Sequence, residues 1–231
     1  MEKKDWDIYV KKVTGGALPV PENMVCDMDD WTCRSTVGRV LFFHEDIEGA
    51  MDVLSTVINE TPRIAPPPEY GLSEVEHMVL SLRDVAEIVW KLTHTDNAPC
   101  IYLLKAYKYC RSYPYKFRSA DRGGILARRL EILRESWKND EALAEAESIL
   151  AEGKDWTSDP YAFRAAKFLA EDAAQCGDYG KAAGLLERAY GFYPENADFR
   201  RDLEAAAGIK DAEERYLRYH AMTAVKYGKW E

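Results

Sequence analysis

The chain has 231 residues, of which 47% are hydrophobic and 31% are charged. This balance is too apolar for an intrinsically disordered chain and predicts one folded core or a continuous stack of repeats. The formal net charge of −9 disfavours non-specific binding to nucleic acid or to an anionic membrane, although it leaves room for a local basic patch.

The start of the chain and its cysteines favour a cytoplasmic location. No apolar run follows Met1, so we expect no secretory signal. The chain also lacks the run of about 18 apolar residues that a membrane-spanning helix requires. We expect the cysteines to be free thiols in a reducing cytosol, because none lies in a CxxC pair; they are Cys26, Cys33, Cys100, Cys110 and Cys176. A disulfide between Cys26 and Cys33 is the alternative.

The first half of the chain predicts an irregular segment followed by two pairs of helices. Glycines and prolines make residues 1–28 irregular. A helix is predicted from Asp29, whose side chain can cap free amides, and a second helix over 47–59. Three prolines at 66–68 exclude a helix there. The next pair is predicted to begin at the capping box after Ser73 and at Asp96.

The second half predicts further helices in pairs. They span about 125–137 and 140–151, and the next pair begins at Asp159 and Pro160. No run of alternating strand residues appears, so the predicted fold class is all-α. The predicted helical domain covers 29–231, with pairs at 31–62, 73–114, 125–158 and 160–194 and capping helices over 197–228.

Recognisable catalytic and metal-binding motifs are absent from the sequence. The histidines at 44, 77, 94 and 220 have no second histidine three or four positions away, and HExxH, GxSxG and phosphate-binding glycine loops do not occur. We therefore predict no catalytic residues, no metal and no cofactor. An enzyme or a ligand-responsive regulator, with a pocket assembled only in space, is the alternative.

Two segments share one helix-pair pattern. Around the turn Gly177-Asp178-Tyr179, small residues alternate with a bulky one and a proline ends the pair; they are Ala182, Leu186, Ala189 and Pro194. At 132 positions earlier lie Ala50, Leu54, Val57 and Pro62, and the same offset places Gly38 where a first helix needs a small residue. This spacing resembles the tetratricopeptide repeat, a unit of about 34 residues.

The other two pairs match less well. A third unit fits at an offset of 36, with Leu130, Leu133, Trp137, Ala146, Leu150 and Gly153. The unit over 73–114 is the weakest, because Tyr102 and Tyr109 occupy positions where small residues are expected. An all-helical fold with only two true repeats is the alternative.

The resemblance implies a right-handed superhelical stack of antiparallel helix pairs that binds a protein or peptide without catalysis. In the family, first helices line a concave groove, and carrying those positions over selects Arg164, Lys167, Glu171 and Gln175, with Arg128, Glu131, Glu135 and Asn139 from the preceding unit. The cations predict an acidic partner, unless they pair with Glu131 and Glu171. Glu171 and Ala174 replace the asparagines of the chaperone-binding members, which argues against an Hsp70/Hsp90 co-chaperone.

A stripe of aromatic residues runs along the last predicted helix. Its members are Tyr216, Tyr219 and Tyr227, with Thr223 in the same register and Trp230 beyond. The tyrosines either pack on the helix containing Leu185 and Leu186 or form an interface, in a homodimer or with another protein. We expect no nucleic-acid or membrane partner.

Overall fold

The computed structural model describes residues 31–60, 72–112, 122–152, 160–190 and 197–227, and within these ranges the chain is helical without any strand. The all-α prediction is therefore confirmed for the described residues. The helices, in chain order, are α1 (Trp31–Phe43), α2 (Ile47–Glu60), α3 (Leu72–Thr93), α4 (Asn97–Ser112), α5 (Arg122–Glu135), α6 (Asn139–Glu152), α7 (Pro160–Gln175), α8 (Tyr179–Ala189), α9 (Ala197–Ala207) and α10 (Ala212–Tyr227). The predicted irregular segment 1–28 and the prolines at 66–68 lie outside the described residues.

The chain divides into two compact units, residues 1–120 and 121–231. In unit 1, α1 pairs with α2 and α3 pairs with α4, and α3 packs on both helices of the first pair. In unit 2, α5 pairs with α6 and α7 pairs with α8, and α7 likewise packs on both helices of the pair before it. Helix α10 packs on α8 and on α9.

Small side chains bring the paired helices close together. In unit 1 an added Cβ at Gly38 would lie 2.5 Å from Cγ of Leu54, so α1 and α2 touch where the sequence predicted a small residue. In unit 2, Ala182 and Ala189 are buried beside Leu186 in one core cluster. Since bulk at such a contact would force the helices apart, these residues set the spacing within each pair.

Three of the helix-pair turns have the same backbone hydrogen bonds. The amides of Glu45, Trp137 and Gly177 each donate to the carbonyl three residues back, and the following amide donates to the carbonyl five residues before itself. All three residues have a positive φ, of 64°, 63° and 80°. This is the Schellman arrangement, which satisfies the last carbonyls of a helix and favours glycine at the left-handed position.

The common turn corrects the register of the third unit. Trp137 and Gly177 are 40 positions apart, as are the last residues of α5 and α7, Glu135 and Gln175. The offset of 36 is therefore wrong by about one helical turn. The same pattern had placed Trp137 with the packing residues Leu130 and Leu133, but its side chain is 96% exposed. A shift of four residues nearly preserves the side of a helix, so apolar spacing alone does not separate the two registers.

Unit 1 contains buried polar side chains between its two first helices. Nε of Arg39 on α1 lies 2.9 Å from Oδ2 of Asp84 on α3. One turn away, the hydroxyls of Ser35 and Ser81 are 2.7 Å apart. Each of these four residues is buried. Because a buried polar group without a partner is costly, the pairs hold α1 and α3 in one register.

None of the described cysteines forms a disulfide; they are Cys33, Cys100, Cys110 and Cys176. Cys26 lies outside the described residues. Among the helices that the structure describes, none combines the length and the apolar character needed to cross a bilayer.

Candidate functional site

A small hollow lies between α5 and α7 of unit 2. The lining residues of each helix are spaced so that they lie on one side of that helix. They are Ala127, Glu131 and Arg134 of α5 and Arg164, Lys167, Phe168 and Glu171 of α7. The hollow has a volume of about 80 Å³. That is room for a carboxylate group or a few waters, and it is well below the roughly 300–1,000 Å³ of a pocket for a drug-sized ligand.

The lining carries more positive than negative charge. Arg134, Arg164 and Lys167 face Glu131 and Glu171. This local excess contrasts with the net charge of −9 for the chain. The lining thus carries three basic and two acidic side chains, a formal excess of one positive charge.

Glu171 lies at the centre of these charges. Its carboxylate is 3.8 Å from Nη1 of Arg134, 4.0 Å from Nζ of Lys167 and 3.8 Å from Nε2 of His220 on α10. These separations are those of ion pairs and exceed hydrogen-bond length. Glu171 therefore partly neutralises Arg134 and Lys167 without holding either of them in a tight geometry.

An aromatic ring orients one of the arginines. The guanidinium of Arg134 lies 4.9 Å from the ring centroid of Phe168, which is buried. The face of an aromatic ring attracts a cation, most strongly when water is excluded. The contact holds the charge of Arg134 over the floor of the hollow.

The field of Glu171 extends to α10. Burial raises the pKa of Tyr216, and the nearby charge of Glu171 and then Tyr179 raise it further. Both effects disfavour the tyrosinate, burial by desolvation and Glu171 by repulsion. His220 lies on the same helix, with its Nε2 3.8 Å from the carboxylate of Glu171.

The structure brings only part of the predicted groove together. Arg164 and Lys167 line the hollow. Arg128 instead lies 3.4 Å from both Glu131 and Glu135 of its own helix. The amide of Asn139 donates to Asp172 at 3.1 Å. Gln175 is exposed at the end of α7.

Arg134 lines the hollow but was missed by the sequence reasoning. The offset of 36 matched Lys167 and Glu171 with Glu131 and Glu135, whereas the observed offset of 40 matches them with Ala127 and Glu131. In the correct register, Arg134 corresponds to Ala174. Aligning the last residues of the two helices, Glu135 and Gln175, gives the offset of 40 and would have identified Arg134.

The aromatic stripe of α10 is largely inside the protein. Tyr216 and Tyr219 are buried in the cluster that contains Leu186, with Leu185 packed against it. The hydroxyl of Tyr190 donates to the carbonyl of Tyr219. The rings of Tyr216 and Tyr219 are therefore not exposed to a partner. The side chains of Thr223 and Tyr227, and all of Trp230, lie outside the described residues, so an interface there stays a prediction.

Among the described residues, no group of three His, Cys, Asp or Glu side chains is placed to hold a metal ion. No protein-family model, no curated protein and no solved structure matches the chain.

Proposed function

We propose that this chain is a non-catalytic scaffold of the tetratricopeptide type that binds an acidic peptide or protein segment. The ligand's carboxylate enters the hollow between α5 and α7. The proposal places the protein in the cytoplasm and requires no cofactor. Its main support is the cluster of Arg134, Arg164 and Lys167 around a partly exposed cleft in an otherwise acidic chain.

The packing order of the helices supports the repeat part of the proposal. In each unit the first helix of the second pair contacts both helices of the first pair. Stacked pairs bury jointly the apolar sides that one pair leaves open. Together with the common turns at Glu45, Trp137 and Gly177, this order favours repeated hairpins over an unrelated helical bundle.

The size of the hollow supports binding over catalysis. An active site needs room for a substrate and titratable groups that converge on the reacting atom. A volume of about 80 Å³ accommodates one acidic group. Carboxylates bind arginine and lysine through charge-assisted hydrogen bonds, which are about twice as strong as neutral ones.

Fluorescence anisotropy with a labelled hexaglutamate peptide tests the proposal. We expect Arg164→Glu to weaken binding about tenfold or more, because one charge-assisted contact contributes roughly 1.5–3 kcal/mol. The loss should shrink as salt is raised, since screening reduces the attraction. Arg164 is only partly buried, so we expect the variant to stay folded, and its helical circular dichroism signal and melting temperature are measured beside the wild type.

Arg188→Glu is the matched control. It makes the same change of charge on the exposed side of α8, away from the residues that line the hollow. Binding should survive this substitution. Equal losses in both variants, or no binding of hexaglutamate by the wild type, would contradict the proposal.

A further inference from the structure

Trp137 is the most exposed large apolar side chain in the described part of the molecule, at 96%. It occupies the left-handed position of the α5–α6 turn, with φ of 63°. A bulky residue rarely adopts this backbone conformation, because its Cβ crowds the neighbouring carbonyl. The chain thus combines backbone strain with a fully hydrated indole at one position.

The turn itself does not require tryptophan. Glu45 and Gly177 occupy the same position in the other two turns, with the same hydrogen bonds. Glycine would relieve the strain at no loss of packing, since the indole is almost wholly exposed. The packing and the turn geometry of the described residues therefore do not account for tryptophan at this position.

Trp137 follows a lining residue of the cationic hollow, Arg134, by three positions. Its amide donates to the carbonyl of Arg134 at 3.1 Å. Arg134 is the last residue of α5 that lines the hollow. A segment that leaves the hollow past Arg134 would meet the indole within about one helical turn.

We propose that Trp137 is the aromatic anchor of the acidic-peptide site, so that the partner carries an apolar or aromatic side chain beside its carboxylate. This inference rests on the proposed function. Tryptophan is enriched among the few interface residues that contribute most to binding, and it offers a large contact area with little loss of rotamer freedom. The carboxylate satisfies Arg134, Arg164 and Lys167, and the apolar neighbour covers the indole.

The experiment compares two labelled peptides by fluorescence anisotropy. One is hexaglutamate extended by a C-terminal phenylalanine, and the other is extended by alanine. We expect the wild type to bind the phenylalanine peptide about tenfold more tightly, in line with one aromatic pair. Trp137→Gly should remove this preference and leave binding of the alanine peptide unchanged. Its melting temperature should stay the same or rise, because strain is released.

Glu45→Gly is the control, because it makes the same backbone change in the turn of unit 1 and should keep the preference. If Trp137→Gly keeps the preference, or if it lowers the melting temperature, the inference is overturned. A wild-type dimer that Trp137→Gly dissociates would also overturn it, since the indole would then bind a second copy. If neither peptide binds the wild type, the proposed function itself fails, and the two failures are thereby told apart.

Discussion

Arg39 and Asp84 form an ion pair that is buried on both sides, with side chains 3% and 2% exposed. The other carboxylate oxygen of Asp84 accepts hydrogen bonds from Nε and Nη2 of Arg83. The pair joins the first helices of the two hairpins of unit 1. Such a pair specifies how two helices meet, because any shift along the axis would separate two buried, opposite charges.

Asp84→Ala should strongly destabilise the chain. Removing one partner of a buried pair leaves an uncompensated charge, which costs about 3–5 kcal/mol. Arg39→Met combined with Asp84→Leu should recover most of this loss, because neither charge is then buried. Urea unfolding followed by circular dichroism measures both. Glu60→Gln is the control: its pair with Arg34 spans 2.6 Å but Glu60 is 55% exposed, so we expect less than about 1 kcal/mol.

The same glycine-to-alanine change should have opposite effects at two positions in unit 2. Gly177 has φ of 80° and an added Cβ would meet nothing within 4 Å, so Gly177→Ala costs only the backbone strain, about 1–2 kcal/mol. Gly184 lies inside α8 with equally open space. Gly184→Ala should therefore stabilise the chain by up to about 1 kcal/mol. Thermal melts of the two variants measure both effects. An unchanged or raised melting temperature for Gly177→Ala would contradict the assigned turn, and a loss of stability in Gly184→Ala would contradict the open space around that residue.

The free energy of unfolding should fall above pH 10, because buried tyrosines such as Tyr219 lose their protons more readily once the chain is unfolded. Burial raises the pKa of Tyr219, with a further increase from Glu187 and an opposing effect of Arg215. Between the usual value of about 10 and the higher folded value, the folded chain keeps a proton that the unfolded chain has lost. The stabilisation is thus complete below the usual value and is lost as pH rises through the folded one.

Tyr219→Phe should flatten that decline, as urea unfolding at pH 8, 10 and 11 would show. At neutral pH it should cost little or even stabilise, because the hydroxyl of Tyr219 has no hydrogen-bond partner among the described residues. Tyr190→Phe is the matched comparison, since it removes the donor to the carbonyl of Tyr219 and should cost about 0.5–1.5 kcal/mol. An unchanged pH dependence in Tyr219→Phe would assign the decline to other groups.

Glu171→Gln should strengthen binding of the hexaglutamate probe. The carboxylate of Glu171 lies within 4.0 Å of Arg134, Lys167 and His220, and it competes with an incoming acidic group for these charges. We expect a gain of roughly threefold to tenfold, which is about 0.7–1.4 kcal/mol. Glu135→Gln, on the exposed end of α5 beside Arg128, should change affinity much less. Weaker binding by Glu171→Gln would show that this carboxylate organises the site.

Apolar spacing predicted the helices, because packing against a neighbour requires a repeat of about 3.6 residues. The offset of 132 placed Gly38 where a small residue is needed, and an added Cβ there would meet Leu54. The family resemblance selected Arg164 and Lys167, which line the hollow. Apolar spacing did not fix the register of α5 relative to α7, since a shift of four residues nearly preserves the side of a helix. Arg134 was missed for this reason.

The sequence pattern also did not predict that a charged pair would be buried. Arginine is usually a surface residue, and the burial of Arg39 is compensated by a partner on α3 that lies 45 positions later in the chain, Asp84. A sequence pattern registers residues near one another along the chain, whereas this pair depends on how two hairpins meet. The exposure of Trp137 has the same origin, because its side chain follows the turn and not the helix side that the apolar spacing assigned.

The common turn has a consequence for how such a chain can change over generations. One backbone geometry presents a carboxylate at Glu45, an indole at Trp137 and a bare backbone at Gly177. The hydrogen bonds that close the turn come from main-chain groups, so the exposed residue can be exchanged for roughly 1–2 kcal/mol of strain while the hairpin persists. A single substitution at position 45, 137 or 177 therefore changes an exposed side chain without changing the hairpin that carries it.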